Sequence, residues 1–157
     1  MNLVIRRLAP EEWQTYRQVR LTALRDSPSA FCATLGQSEA YPEQTWRDWC
    51  TQPSWFAFVD DEPVGMARTF RDEHRDLPIL VSMWVSPAVR GTSVATDLVR
   101  CVVDQARADG DDGVLLDVID TNARARALYE RMGFTETGAR EQLPDGRVEV
   151  RMELMFA

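Results

Sequence analysis

Ile79-Leu80-Val81-Ser82-Met83-Trp84-Val85-Ser86-Pro87-Ala88-Val89-Arg90-Gly91-Thr92-Ser93-Val94-Ala95-Thr96 passes from an apolar run through a loop of small residues into a helix start. The run from Ile79 to Val85 is apolar at almost every position, as a strand covered on both faces requires. Ser86-Pro87 ends it. From Gly91 to about Ala108, Val94, Leu98, Cys101, Val102 and Ala106 recur at helical spacing, and Asp109-Gly110-Asp111-Asp112-Gly113 breaks the pattern. Val114-Leu115-Leu116-Asp117-Val118-Ile119 then forms another strand. A strand, crossover helix and second strand in this order demand parallel pairing, so the unit from 79 to 119 is βαβ.

Around this unit the sequence reads as antiparallel. Leu3 to Leu8 suits an opening strand, and Pro10-Glu11-Glu12 starts a helix that carries Trp13, Tyr16, Val19 and Leu24 and stops before Pro28. A loop with Ser27, Pro28, Ser29 and Gly36 leads to a second helix near Glu43 to Cys50, with Trp46 and Trp49. Trp55 to Val59 and Val64 to Phe70 flank the acidic turn Asp60-Asp61-Glu62-Pro63 as a hairpin. After the βαβ unit come a short helix from Asn122 to Met132, closed by Gly133, and strands at Phe134 to Ala139 and Val148 to Phe156. The prediction is one mixed α/β domain over residues 1–157, with about seven strands, one central parallel pair and about four helices.

Composition limits the chemistry. The 157 residues suit one core, and no repeat or linker divides them. All 18 cationic residues are Arg, against 25 carboxylates, for a formal charge of −7. Such a chain repels polyanions at long range, which argues against nucleic acid and anionic membranes and leaves a cationic partner favoured. Arg without Lys favours planar recognition of phosphate and carboxylate, although codon bias is the plainer origin. No apolar run approaches a membrane span and no signal sequence stands at the start, so the cytoplasm is the expected compartment. Cys32, Cys50 and Cys101 match neither a disulfide framework nor a zinc pattern, and His74 stands alone, so no metal is expected.

Two stretches carry chemistry. The loop from Val85 to Thr96 brings free backbone N–H groups and a helix N-terminus to one spot, beside Arg90, which attracts phosphate. Asn122-Ala123-Arg124-Ala125-Arg126-Ala127-Leu128-Tyr129-Glu130-Arg131-Met132-Gly133-Phe134 follows the next parallel strand. Ligands sit beyond the carboxyl ends of parallel strands, so both loops open to the same crevice. Asn122 is suited to capping its helix, and Tyr129 to either a core position or proton donation.

Together the two stretches resemble the GNAT (GCN5-related N-acetyltransferase) superfamily. Its Arg/Gln-x-x-Gly-x-Gly/Ala signature appears as Arg90-Gly91-Thr92-Ser93-Val94-Ala95, after the family-like Met83-Trp84-Val85-Ser86-Pro87. Its Asn-x-x-Ala-x-x-Leu-Tyr-x-x-x-Gly-Phe pattern is complete from Asn122 to Phe134. The resemblance implies acetyl-CoA as cosubstrate, held at its diphosphate by the amides of Gly91, Thr92, Ser93, Val94, Ala95 and Thr96, with Arg90 at the edge and Arg124, Arg126 or Arg131 near. It implies that main-chain groups at Met83, Trp84 and Val85 pair with pantetheine as an added strand would. Asn122 would position the cofactor arm, and Tyr129 would protonate, or hydrogen-bond, the departing thiolate. The acceptor, a small-molecule or peptide amine, would lie against Phe31, Tyr41, Trp46 and Ser82, with plain core as the alternative place for the three aromatics. Members of the family often dimerise, which makes a homodimer the assembly to look for.

The chain departs from the family at two points. Ser93 replaces a customary Gly, which predicts retained CoA binding, weakened if anything. The central strand lacks the carboxylate many relatives carry there; Glu73, His74, Asp76 and Ser82 through water are the candidate routes for the amine's proton. These departures keep a non-catalytic CoA-binding or sensing module as the alternative to an N-acetyltransferase.

Overall fold

The computed structural model describes residues 2–31, 34–72 and 76–157. Cys32, Glu73 and His74, singled out above, lie outside the described residues. The strands are β1 (Leu3–Arg6), β2 (Ser54–Val59), β3 (Glu62–Phe70), β4 (Ile79–Val85), β5 (Gly113–Ile119), β6 (Thr135–Gln142) and β7 (Val148–Met155). They form one sheet in the order β1-β2-β3-β4-β5-β7-β6, in which β4 and β5 alone pair in parallel. This is the mixed α/β fold that the sequence predicts. The helices are α1 (Trp13–Asp26), α2 (Leu35–Glu39), α3 (Glu43–Cys50), α4 (Val94–Ala108) and α5 (Ala123–Arg131). No helix among the described residues is long and apolar enough to cross a membrane.

Helix α2 stands where the sequence reads as loop. Its cause is a capping box: Thr34 Oγ1 accepts from the Gln37 amide at 3.2 Å while Gln37 Oε1 accepts from the Thr34 amide at 3.1 Å.

Each face of the sheet buries its own core. On one, α4 and α5 bury Val94, Leu98, Val99, Val102 and Tyr129 against Ala57, Ala67, Leu80, Leu116 and Val118. On the other, α1 and α3 pack Tyr16, Val19 and Trp46 on Phe56, Met66 and Trp84. Gly65 lets α4 approach closely, because a Cβ there would stand 2.9 Å from the Trp84 carbonyl oxygen and 3.0 Å from Leu98 Cδ1.

The central irregularity falls in β4. Met66 pairs with Trp84 but Arg68 with Val81, so Ser82 and Met83 both face Ala67. That is a β-bulge, and Ser82 adopts the left-handed backbone it needs, with φ 55°. The parallel neighbours part just ahead of it: the only register pairs between β4 and β5 are Ile79 with Leu115 and Leu80 with Leu116. The sheet is zipped at one end of this pair and open at the other.

Candidate active site

The open end of the β4–β5 pair lies in a cleft of about 760 Å³. Its lining takes Ser82 to Val85 from β4, Arg90 to Thr92 with Ala95 and Thr96 from the following loop and helix, Asp117 to Ile119 from β5, and Asn122 and Tyr129 from around α5. The two motif stretches therefore meet, as their places after parallel strands require.

Local backbone chemistry shapes the loop. Gly91 has φ 81°, left-handed, with open space where a Cβ would stand. Thr92 Oγ1 donates to the Val89 carbonyl at 2.6 Å and accepts from the Val94 amide at 3.4 Å. The next backbone bond runs from the Asp97 amide to the Ser93 carbonyl at 2.8 Å, which leaves the amides of Ala95 and Thr96 ahead of the helical ladder. Ser93 is exposed, does not cap α4, and has φ −75°, a conformation open to any residue. Serine is thus unstrained where the signature has glycine.

Arg90 does more than border the loop. Its Nε donates to the Val85 carbonyl at 3.0 Å and its Nη2 reaches Asp26 Oδ2 at 2.5 Å. The same Asp26 oxygen accepts from Trp84 Nε1 at 3.0 Å and from Ser27 Oγ at 2.6 Å. Desolvation pushes the Asp26 carboxyl upward, but the hydrogen bonds from Ser27, Trp84 and Arg90 and the Arg90 charge outweigh it and hold it below its ordinary value. Asp26 ends α1, so this knot ties the N-terminal helix to the loop after β4.

Asn122 Oδ1 accepts from the Ala125 amide at 3.2 Å, capping α5. Tyr129 is buried, edge-on to Phe134 at a centroid distance of 5.9 Å, and desolvation pushes its phenol well above its ordinary value. Arg124 and Arg131 line the cleft. Arg126 turns away, donating to the Asp120 carbonyl at 3.0 Å and pairing with Glu136.

The acceptor-side expectations divide. Phe31 lines the cleft, with the Arg20 guanidinium 4.8 Å from its ring centroid, and Ser82 lines it at the bulge. Tyr41 and Trp46 do not line it. Trp46 is fully buried, 5.9 Å from Tyr16 and 5.1 Å from Trp49, because the apolar face of α3 is spent on α1 and the sheet. Tyr41 packs on the outside of that cluster, 5.9 Å from Trp46. Asp76 is exposed and outside the cleft lining. Sequence reasoning passed over Asp117, whose signal is a lone carboxylate in the otherwise apolar strand Val114 to Ile119. Among the described residues no group of His, Cys, Asp and Glu is arranged to hold a metal ion.

Comparison with known proteins agrees with this geometry. Residues 10–134 match the model of the Acetyltransferase (GNAT) family. Mycothiol acetyltransferase from Brachybacterium faecium is 33% identical over 129 residues, which are 80% of this chain but 38% of that protein. N-acetylaspartate synthetase from Mus musculus is 30% identical over 104 residues, 65% of this chain and 35% of that protein. The chain thus spans well under half the length of these two relatives. In the solved structure of yncA from Salmonella typhimurium with its cofactor acetyl-CoA, the same fold recurs at a TM-score of 0.81 and 19% identity, covering 100% of this chain and 95% of that one. With the family match over most of its length and both motif stretches meeting at the opened parallel pair, the chain belongs to the GNAT acetyltransferase family.

Proposed function

We propose that this protein transfers an acetyl group from acetyl-CoA to a primary amine, by direct attack within a ternary complex. The parted β4–β5 pair carries the reading: an opened parallel edge with a helix N-terminus at one end and a buried phenol on one side. Acetyl-CoA supplies the activated acyl group. The residues fit it, since Gly91 stands beside open space and the loop leaves amides ahead of the α4 ladder for a diphosphate. Arg124 and Arg131 add positive charge, while Arg90 braces the loop through Val85 and Asp26. The parted edge of β4, from Met83 to Val85, offers main-chain groups to an extended pantetheine.

In the reaction a C–N bond forms and the C–S bond breaks; the amine gives up a proton and the thiolate takes one. An ordinary thiol titrates near ~8.5 and a phenol near ~10. Tyr129 lies higher still, so it is the weaker acid and serves the departing sulfur by hydrogen bonding while keeping its own proton. Ternary assembly supplies proximity. The acceptor is a small-molecule or peptide amine, entering from the side of Phe31 and Ser82.

Incubating the protein with acetyl-CoA and a panel of primary amines, and following free thiol, tests the proposal. Amine-dependent release is expected. Tight CoA binding without any such release would make the chain a binding or sensing module.

A further inference from the structure

Among the described residues no carboxylate pairs with Arg68, in a chain whose acids outnumber its arginines 25 to 18. The side chain is half-buried. Leu80 points into the α4 core, so its neighbour Val81 takes the face that α1 and α3 cover, and Arg68, paired with Val81, lies beside it there. The Arg68 guanidinium sits 5.1 Å from the ring centroid of Trp49, which is 6.0 Å from that of Tyr16. Arg68 Nε is shut off from solvent without a hydrogen-bond partner, and so is the hydroxyl of Tyr16, a residue only 1% exposed. Burial pushes the Tyr16 phenol up while the Arg68 and Arg20 charges pull it down, so both charges stand near that oxygen. Arg20 in turn lies 4.8 Å from the ring centroid of Phe31. Val81 and Phe31 both line the cleft, which puts this cationic patch directly behind the cleft wall on the side where the acceptor enters.

A buried donor without an acceptor costs about 1–3 kcal/mol, and more when it carries charge. An acceptor supplied from outside the chain removes that cost at both atoms. A carboxylate suits them, since its two oxygens match the flat guanidinium fork and one of them also accepts from a phenol. A free anion would meet long-range repulsion from a chain of charge −7, whereas an amino acid, net neutral, does not. Val81 is one residue from Ser82 and two from Met83, where the parallel pair is open. At about 3.3 Å per residue and about 4.8 Å per strand, a carboxylate at Arg68 and a nitrogen at the opening stand on the order of 5–8 Å apart, the span of one small molecule.

We propose that the acceptor is an amino acid whose free carboxylate is held by Arg68 and the Tyr16 hydroxyl while its amine reaches the β4–β5 opening. Resting on the acetyl-transfer reading, this assignment narrows the acceptor from any primary amine to an amino carboxylate, and sets it apart from a polyamine or the amino terminus of a long peptide.

The test uses the full chain and four acids, L-alanine, β-alanine, γ-aminobutyrate and 5-aminopentanoate, each beside its carboxamide, which keeps the shape and loses the charge. Calorimetry titrates each compound into protein saturated with CoA, a complex that cannot react, and thiol release is then followed with acetyl-CoA. At least one acid is expected to bind the CoA complex about 100-fold more tightly than its carboxamide and to show the same preference in kcat/KM. Arg68→Gln is expected to shrink that preference below about threefold; Arg68→Lys, a point charge without the fork, and Tyr16→Phe are each expected to shrink it about tenfold. CoA affinity within about threefold of wild type marks each variant as folded. Failure of every acid to bind the CoA complex, equal affinity for acid and carboxamide, or a preference that folded Arg68→Gln leaves unchanged would overturn the carboxylate site. An acid that binds through Arg68 while acetyl-CoA releases no thiol would instead support the site and overturn the acetyl-transfer reading.

Discussion

Gly91 and Ser93 differ by two positions in one signature and by everything in backbone demand. Gly91 sits at φ 81°, so Gly91→Ala forces a left-handed backbone on an L-residue at about 1–2 kcal/mol and turns the loop amides. Calorimetry is expected to show CoA affinity falling roughly tenfold or more. Ser93 sits at φ −75° with no capping duty, so Ser93→Gly should leave CoA affinity within about threefold; a large loss would mean that the hydroxyl is itself a ligand. On the proposed mechanism Tyr129→Phe would remove one hydrogen bond to a charged sulfur, worth about 1.5–3 kcal/mol, and is expected to lower kcat about 10- to 100-fold with little change in CoA affinity. Unchanged turnover would remove Tyr129 from the reaction.

Element by element, the βαβ unit was legible because its period changes cleanly from strand to helix and back, and because Pro87 and the Asp109 to Gly113 cluster punctuate it. The bulge was not legible, since Ser82 in an apolar run looks like any polar interruption, and its left-handed φ comes from pairing with β3 rather than from residue type. Helix α2 escaped for want of an apolar stripe, although Thr34 and Gln37 carry a capping signature. The aromatic arm divides: Phe31 lines the cleft while Trp46 takes the core position that its helical spacing equally allowed, because sequence offers no way to tell a pocket wall from a buried face. Asp26 was invisible as a functional residue, for its partners Trp84 and Arg90 lie 58 and 64 positions away. The close contact at Gly65 makes a prediction here. Gly65→Ala sets a Cβ against the Trp84 carbonyl, and should cost about 1–3 kcal/mol in denaturant unfolding by pushing α4 off the sheet.

For the whole molecule, a charge of −7 coexists with a cleft that gathers Arg90, Arg124 and Arg131, so under the proposed function the attraction for a polyanionic cosubstrate would be local while the surface at large favours cations. Acid stability follows from the same carboxylates. Asp26 is held below its ordinary value, and so is Glu12, by the side-chain bond from Arg6 and the Ala9 amide. Each stabilises the fold while ionised, fully above the unfolded carboxyl range near ~4, and loses that contribution as pH falls through its depressed folded value. Thermal unfolding scanned downward from pH 6 should show the midpoint dropping below about pH 4, and Asp26→Asn should flatten that drop. The central claim, that the opened β4–β5 pair moves an acetyl group onto an amine, is tested most directly by product mass spectrometry after incubation with acetyl-CoA and an amine library. At least one amine is predicted to gain a single acetyl group in step with thiol release, and acetyl-CoA that stays intact beside every amine while bound to the protein would contradict the account.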